Sequence, residues 1–347
     1  MTEQSLRGPK QFSARRVSLA GADLVRLRPS EGATLPTVVE PAAAGVDLPA
    51  WAGAHADRLR TELRRSGALL LRGAGIASAE EFERFAGLFV GRLLRDNGEH
   101  PRAAVTGGVY TPVFFAPEEK LLWHNENSFN ARGPARILFC CLRPATSGGR
   151  TPVVDSRAVY AELDPALREE FVRKGVRYVR TYGAGLGLDW REVFRTTDRA
   201  EVEARCAADG MSFSWRGEGL RTSCVRPAVL RHPVTGELSW FNQAQHWHPS
   251  CLGGQVRASL LASLGAGELP RTCTFGDGTP IPDDAMAAVL ATYARLEVGL
   301  DWEQGDVMVL DNVLTAHARD PFTGPRRLLV AMGDVIEFRD DTAGTAR

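Results

Sequence analysis

Hydrophobic and polar residues follow two different periods along this chain, helical in much of the first part and strand-like in the second. The segment DRLRTELRRSG (57–67) has helical spacing and stops at a glycine, and the apolar run ALLLRG after it predicts a buried strand. Ser78 and Glu81 form the pattern of a capping box before EFERFAGLF, which predicts the next helix.

Strand patterns dominate the later part. Runs of β-branched, aromatic and aliphatic residues bounded by turn residues predict strands in RILFCCL (136–142), VRYVRTYG (176–183), the hairpin AVLRHPVTGELSWFNQ (228–243), GDVMVLDN (305–312) and RRLLVAMGDVIEF (326–338). Helices are predicted in AVYAELDPALREEFVRKG (158–175) and IPDDAMAAVLATYARLEVG (281–299), and a loop in VLTAHARDPFTGP (313–325).

This order of elements predicts a mainly β fold with helices (α+β). The expected core is a double-stranded β-helix, or jelly roll, with flanking helices and an inserted lid region. Residues 1–20 lack periodicity and are predicted to form a flexible N-terminal arm, and residues 21–347 a single domain. The charged stretch at about 184–222 is interpreted as an irregular insertion with one helical piece.

Composition narrows the class of protein. Hydrophobic residues make up 44% of the 347 residues, and Lys plus Arg equals Asp plus Glu at 42 each, so no global charge favours nucleic acid or anionic lipid. Six cysteines without a CxxC pair, and no long apolar run, favour a cytoplasmic protein with buried thiols and no membrane contact. The expected ligand is therefore a small molecule; oligomeric state is not predicted.

A histidine and a carboxylate lie two residues apart in WHNENSFN (123–130). If a strand ends here, His124 and Glu126 project from one face and can share a metal. With a second histidine they would make the two-histidine, one-carboxylate set that binds Fe(II) and leaves coordination positions open. Among seven histidines, His317 is the best placed, since it lies between two predicted strands.

Four blocks of sequence together resemble the Fe(II)/2-oxoglutarate-dependent dioxygenases of the TauD/TfdA superfamily, in the branch of clavaminate synthase and the SyrP-type amino-acid hydroxylases. The resemblance covers about residues 67–335, and its blocks are HNENSF, SGGRTPVVDSRAVY, WFNQAQHWHPS and GDVMVLDNVLTAHARDPFTGPRRLLVAMGD. It implies an enzyme that uses Fe(II), 2-oxoglutarate and O2, with iron bound by His124, Glu126 and His317.

The resemblance also implies how 2-oxoglutarate binds. The carboxylate farthest from iron is expected to contact Arg326 and Thr151. A guanidinium suits this role because it pairs with a carboxylate through two hydrogen bonds. Arg327 is the alternative, since adjacent strand residues face opposite sides; Arg326 is preferred because Leu328, Val330 and Met332 share its face.

The remaining residues of the motifs are predicted either to contact the substrate or to hold the site residues in position. Asn125, Trp240, Asn242, Gln243 and His246 are predicted to line the substrate pocket, although a Trp on a strand is usually core and Asn125 could instead orient the site or cap a turn. Supporting roles are expected for Asn127, Asp311 and Asn312, and Gly148 and Gly149 are expected to adopt positive φ and so place Thr151.

The reaction implied by the resemblance is oxidation of an unactivated C–H bond of an amino acid or aminoacyl unit, free or bound to a carrier protein, in specialised metabolism. Hydroxylation is expected first, because halogenating relatives lack the metal carboxylate that Glu126 supplies; desaturation and oxidative cyclisation are alternatives. The residues also allow a zinc hydrolase, a binding module without turnover, or a rival metal site in HWH (246–248) with His232.

Overall fold

A computed structural model describes residues 24–30, 34–95, 104–183, 188–264 and 269–338. The predicted arm, residues 1–20, lies outside the described residues. The strands are β1 Val25–Pro29, β2 Thr37–Pro41, β3 Ala68–Leu71, β4 Val109–Tyr110, β5 Leu121–His124, β6 Arg132–Arg143, β7 Ser147–Gly148, β8 Val153–Asp155, β9 Val176–Tyr182, β10 Ser212–Arg216, β11 Gly219–Arg226, β12 Val229–Arg231, β13 Leu238–Trp240, β14 Arg271–Phe275, β15 Val307–Asp311, β16 Thr315–Arg319, β17 Phe322–Thr323 and β18 Arg327–Glu337.

Helices are interspersed among these strands, and none in the described ranges is long and apolar enough to cross a membrane. They are α1 Leu48–Ala54, α2 Ala56–Ser66, α3 Ala79–Ala86, α4 Ser156–Glu162, α5 Pro165–Lys174, α6 Trp190–Phe194, α7 Arg199–Ala208, α8 Ala244–Trp247, α9 Gly254–Leu264 and α10 Asp283–Leu296. The chain is therefore a mixed protein rich in strands, as its pattern predicts.

The largest sheet has seven strands in the order β1-β2-β3-β15-β6-β18-β4, and of its described pairs only β2–β3 is parallel. Helices α1, α2 and α3 cover one face, where Trp51, Leu63 and Phe82 pack on Leu138 and Val309. These helices form where the sequence predicts them: α2 stops at Gly67 in a left-handed conformation, and the Ser78 side chain accepts from the Glu81 N–H at the start of α3.

A smaller sheet, β5-β16-β8, lies against the other face of the large sheet. Between them Phe139, Met308 and Leu328 of the large sheet pack around Val153 of the small one. The Phe139 and His317 ring centroids are 5.3 Å apart, so the two sheets meet at a histidine of β16. The small sheet, which carries His317, thus packs against the large sheet.

A third sheet, β10-β11-β9-β14, packs with α4, α5, α8 and α10 around a second aromatic core. Its largest buried side chains are Phe171, Trp240, Phe275 and Tyr293. Trp123 of β5 and Ala316 of β16 also belong to this core, so the core packs against the small sheet.

Two segments differ from the predicted elements. The segment 313–325 is not a loop, because β16 and β17 form there by pairing with distant strands β5, β8 and β7. The helix predicted at 158–175 is broken into α4 and α5, since Asp164 caps a new helix that begins with Pro165.

The described part of the region 184–222 is regular and not irregular as predicted. It contains α6, α7 and the hairpin β10–β11, which extends the sheet of β9. Long-range pairing of β11 with β9 supplies the order that the charged local sequence does not reveal. The status of this region as an insertion stays a prediction.

Candidate active site

The predicted metal ligands lie on neighbouring strands of the small sheet. His124 ends β5 and is the cross-strand partner of His317 in β16, with ring centroids 4.2 Å apart. Glu126 follows two residues later. The three residues each offer one ligand atom, and these atoms lie within 4.8 Å of one another. No second group of three such side chains is found in the described ranges.

The donor set itself fits a ferrous ion. Two imidazoles and one carboxylate on one side of an ion leave the remaining positions for further ligands, which is the arrangement of non-haem Fe(II) oxygenases. His317 is 6% exposed, whereas Glu126 is partly exposed at the rim. The exposed part of the group therefore lies on the Glu126 side rather than at His317.

The tautomer of His124 is set by the backbone. Its Nδ1 lies 2.8 Å from the carbonyl oxygen of Leu122, and since a carbonyl can only accept, Nδ1 carries the proton. Nε2 is then the ring nitrogen whose lone pair can bind a metal. A backbone acceptor on the other nitrogen is the usual way in which a metal-binding histidine is oriented.

The turn that carries Glu126 is fixed by asparagines. The Asn312 side chain accepts from the Glu126 N–H at 2.7 Å and donates to its carbonyl at 3.0 Å. Fully buried Asn125 donates to the Asn312 carbonyl at 2.7 Å. Asn127 adopts φ 59°, a left-handed conformation that asparagine tolerates, and it turns the chain after Glu126.

A buried charged group lies behind this turn. Asp311 is fully buried and its carboxylate contacts Arg136 at 3.0 Å and His232 at 3.2 Å. Its other oxygen accepts from the Val313 and Leu314 N–H groups. Asp311 therefore stabilises the bend between β15 and β16, and so supports the strand of His317.

The predicted 2-oxoglutarate residues Arg326 and Thr151 lie next to each other. The carbonyl of Pro152, which follows Thr151, accepts from the N–H of Ala318, which follows His317, at 2.8 Å. Arg326 Nε donates to the Gly149 carbonyl at 3.1 Å, and its Nη2 lies 3.5 Å from the Thr151 hydroxyl oxygen. Thr151 also accepts from the indole N–H of Trp302 at 3.1 Å. Burial, and next the charge of Arg319, lower the pKa of Arg326 to about 10. No carboxylate in the described ranges forms an ion pair with Arg326.

Glycines make room for this arginine. Gly148 and Gly149 have φ of 69° and 72°, as predicted. A Cβ at Gly149 would lie 3.1 Å from Cδ and Nε of Arg326. Arg327, the alternative, is exposed at the start of β18, while Leu328, Val330 and Met332 share one buried cluster. The structure thus places Arg326, and not Arg327, on the inner side.

Four of the predicted substrate residues serve the framework. Asn125, Trp240 and Asn242 have no exposed surface, so no area remains for a substrate. Asn242 donates to the Ala228 carbonyl, Trp240 packs on Phe171, and Gln243 donates to the Asn125 carbonyl at 2.7 Å. The polar and aromatic residues of WFNQ therefore bond to backbone carbonyls or pack in the core, and they support the structure around the site without facing a substrate.

His246 does border the metal group. Its ring lies edge-on to His124 at 4.9 Å, and its Nε2 donates to the Leu122 carbonyl at 2.9 Å. Burial, followed by the neighbouring His124, lowers the pKa of His246 to about 3, so this ring is neutral. The rival metal site with His232 and His248 is not formed, because His248 bonds to Ile281 and Ser250 and His232 to Asp311.

Two neighbours of the site are not predicted from the sequence. Phe139 contacts His317, and Trp302 orients Thr151. Both are ordinary apolar residues in their own segments, and the pattern offers no signal that separates them from core.

Comparison with known proteins agrees with this geometry. Residues 30–332 match the family described as taurine catabolism dioxygenase TauD, TfdA family. The dapdiamide synthesis protein DdaC of Enterobacter agglomerans is 36% identical over 276 residues, which cover 79% of this chain and 84% of that protein. A clavaminate synthase-like protein of Arabidopsis thaliana is 29% identical and covers 87% of this chain and 94% of its own length.

Solved structures share the fold. PvcB of Pseudomonas aeruginosa superposes with a TM-score of 0.53 at 17% identity, over 92% of this chain and 94% of that one. AAD-2, solved with Mn(II) and N-oxalylglycine, gives a TM-score of 0.53 at 15% identity over 90% of this chain and 98% of that one. With the family match over most of its length and the two-histidine, one-carboxylate group in place, the chain belongs to the TauD, TfdA family of Fe(II)- and 2-oxoglutarate-dependent dioxygenases.

Proposed function

We propose that this enzyme oxidises an unactivated C–H bond of a small amino-acid-like substrate in specialised metabolism, with hydroxylation as the outcome. His124, Glu126 and His317 would hold the iron, and Arg326 with Thr151 the far carboxylate of 2-oxoglutarate. The two facing sheets, antiparallel except for the β2–β3 pair, would form the jelly roll predicted from the sequence. The observation that carries the proposal is the approach of the three ligand atoms to within 4.8 Å.

The arrangement divides the task among the residues. Bound Fe(II) and 2-oxoglutarate supply the activation of O2 and the oxidant for the C–H bond. The two imidazoles and Glu126 would hold the ion, and a set of three protein ligands would leave coordination positions for 2-oxoglutarate and O2. Arg326 is already desolvated, and a carboxylate pairing with it would offset that cost. Phe139 packs over His317 and keeps water from that side.

Glu126 supports oxygen transfer, because its carboxylate fills the position that halogenating relatives leave vacant. Desaturation and oxidative cyclisation use the same residues and stay as alternative outcomes. DdaC is named for dapdiamide synthesis, and this supports a role in making a specialised metabolite. The substrate could be free or bound to a carrier protein; the protein's charge balance, 42 basic and 42 acidic residues, favours neither.

The proposal can be tested without knowledge of the substrate, by following the conversion of 2-oxoglutarate to succinate when no substrate is present. Protein loaded with Fe(II) under anaerobic conditions should develop a metal-to-ligand charge-transfer band on addition of 2-oxoglutarate, and succinate should form when O2 is admitted. His317→Ala should abolish iron binding and both signals.

A matched control removes a histidine outside the proposed site. His248→Gln changes a buried ring that bonds to Ile281 and Ser250, and it should keep the charge-transfer band. A wild-type protein that binds zinc but forms neither the band nor succinate would contradict the proposal and favour hydrolysis.

A further inference from the structure

The Thr151 hydroxyl lies between two hydrogen-bond donors. Thr151 is only 3% exposed. The indole N–H of Trp302 donates to its Oγ1 at 3.1 Å, and Nη2 of Arg326 lies 3.5 Å from the same oxygen. Neither an indole N–H nor a guanidinium can accept a hydrogen bond. Both neighbours therefore use lone pairs of the oxygen, and neither can accept its proton.

The proton of this hydroxyl has no acceptor among the residues that the structure describes. A threonine hydroxyl can donate one hydrogen bond and accept two, and the two contacts of Thr151 Oγ1 are both with donors. By contrast, the buried hydroxyls of Thr315 and Thr292 donate to the carbonyls of Gly67 at 2.7 Å and Ala288 at 3.0 Å. A ligand atom that accepts from Thr151 would therefore complete its hydrogen bonding.

Trp302 is held in place by the fold. It is 8% exposed and packs in the buried cluster of Val153. The guanidinium of Arg72 donates to the carbonyl of Asp301 at 2.7 Å and forms an ion pair with Glu303. The residues immediately before and after Trp302 are thus bound to one side chain. The direction of the indole N–H is therefore fixed by the protein framework and does not depend on a ligand.

We propose that Trp302 is a positioning residue for 2-oxoglutarate, because its N–H occupies a lone pair of Thr151 and directs the hydroxyl proton to the far carboxylate of the cosubstrate. This inference rests on the proposed function and deepens it. Arg326 would supply the charge that pairs with the carboxylate, and Thr151 a neutral hydrogen bond. Trp302 would act through Thr151 alone.

This arrangement selects the chemical group at the far end of the cosubstrate. With the indole in place, Thr151 and Arg326 both present donors. A carboxylate only accepts and fits two donors, whereas the nitrogen of a primary amide donates and does not. The enzyme should therefore bind 2-oxoglutarate more tightly than 2-oxoglutaramate, its far-end amide. Without the indole N–H, the hydroxyl can rotate and accept from the amide, so this preference should decrease.

The first test uses the anaerobic enzyme loaded with Fe(II), in which titration of the charge-transfer band gives the apparent Kd of 2-oxoglutarate. Trp302→Phe keeps an apolar ring and removes the N–H, and it should raise this Kd about threefold to tenfold with unchanged iron affinity. Thr151→Val should raise it about tenfold to a hundredfold, because a hydrogen bond to a charged group is lost. Thr151→Ser, which retains the hydroxyl, should bind 2-oxoglutarate nearly as the wild type does.

The double variant decides whether Trp302 acts through Thr151. If it does, adding Trp302→Phe to Thr151→Val should leave the Kd of 2-oxoglutarate as it is in Thr151→Val, because no hydroxyl remains to be directed. A purely structural role would raise the Kd by the same factor in both backgrounds. Arg72→Gln releases the two neighbours of Trp302 without changing its ring. It should raise the Kd in the wild-type background and not in Thr151→Val, which keeps the test decisive if Trp302→Phe does not fold.

A matched control removes an indole N–H from another buried tryptophan. Trp190 is 1% exposed, donates to the Glu218 carbonyl at 2.9 Å, and packs in a separate cluster with Leu220. Trp190→Phe should lose stability in chemical denaturation and keep the wild-type Kd of 2-oxoglutarate. The ratio of the Kd of 2-oxoglutaramate to that of 2-oxoglutarate should fall in Trp302→Phe and stay unchanged in Trp190→Phe.

The two proposals fail in different ways. Absence of the charge-transfer band in the wild type would refute the proposed function itself. A normal band with an unchanged Kd of 2-oxoglutarate in Trp302→Phe, or with additive effects in the double variant, would overturn only this inference.

Discussion

Asn312 binds the Glu126 peptide through both of its polar atoms. Its Oδ1 accepts from the Glu126 N–H at 2.7 Å, and its Nδ2 donates to the Glu126 carbonyl at 3.0 Å and to the Pro134 carbonyl at 2.8 Å. The residue stands five positions before His317 in the chain. It therefore joins the two segments that supply the proposed metal ligands, through hydrogen bonds rather than through a ligand of its own.

Asn312→Ala should weaken iron binding without removing a ligand. Three backbone groups, one buried and two partly buried, lose their partner, which should cost about 3 kcal/mol of unfolding free energy. Loss of a supporting group around a metal typically lowers affinity by about tenfold to a hundredfold. Chemical denaturation and anaerobic Fe(II) titration of the folded variant measure the two effects separately.

Asn242→Ala serves as the control for that variant. Asn242 is equally buried but bonds to the Ala228 carbonyl, away from Glu126. It should lose stability and keep its iron affinity once folded. Equal iron affinities in the two variants would show that Asn312 acts only on stability.

Arg326→Ala should leave iron binding intact and lower the affinity for 2-oxoglutarate about a hundredfold, or about 3 kcal/mol. The reason is that the variant removes a desolvated guanidinium next to the Thr151 hydroxyl. Titration of the charge-transfer band measures the change. Arg327→Ala, at the exposed neighbour, should bind 2-oxoglutarate normally. If Arg327→Ala lost affinity for 2-oxoglutarate and Arg326→Ala did not, Arg327 would be the residue that binds its carboxylate.

Gly149→Ala should weaken the binding of 2-oxoglutarate, as Arg326→Ala does, but to a smaller extent. The added methyl would lie 3.0 Å from Ala145 Cβ and 3.1 Å from the Arg326 side chain, at a residue with φ of 72°. We expect the KM for 2-oxoglutarate to rise while iron affinity stays the same, which succinate formation at varied 2-oxoglutarate concentrations would show. Gly236→Ala, also at positive φ but in open space, controls for backbone strain alone. An unchanged KM in Gly149→Ala would mean that the arginine can move aside.

The adjacent thiols at Cys140 and Cys141 should be inert in the folded protein. Burial first, and next the neighbouring Cys141, raise the pKa of Cys140 to about 12; burial and then Asp306 raise the pKa of Cys141 to about 11. Because iodoacetamide attacks the thiolate, labelling at a mildly alkaline pH should occur only after unfolding, as peptide mass spectrometry would detect. Rapid labelling of the native protein at these positions would contradict the buried strand.

The sequence pattern was sufficient to predict which side chains lie on the same face of a strand, because this depends only on local geometry. The two-residue spacing of His124 and Glu126 and the alternation along RRLLVAM both follow from strand geometry, and the structure places His124 beside Glu126 and Arg326 on the inner side. The segment around His317 was predicted as a loop, because TAHAR (315–319) lacks a strand-like pattern of large residues. It becomes a strand through pairing with β5 and β8.

The distinction between pocket and framework could not be predicted in the same way. Asn125, Asn242 and Gln243 look like substrate ligands in the sequence, since nothing local shows that their partners are distant carbonyls. Such contacts depend on the register of strands, which the local pattern leaves open.

The carbonyl of Leu122 accepts from both His124 Nδ1 and His246 Nε2, at 2.8 Å and 2.9 Å. One oxygen atom therefore orients the rings of both the proposed iron ligand His124 and its neighbour His246. A change at residue 122 would therefore disturb both imidazoles at once, whereas either ring alone can be altered without removing the acceptor of the other.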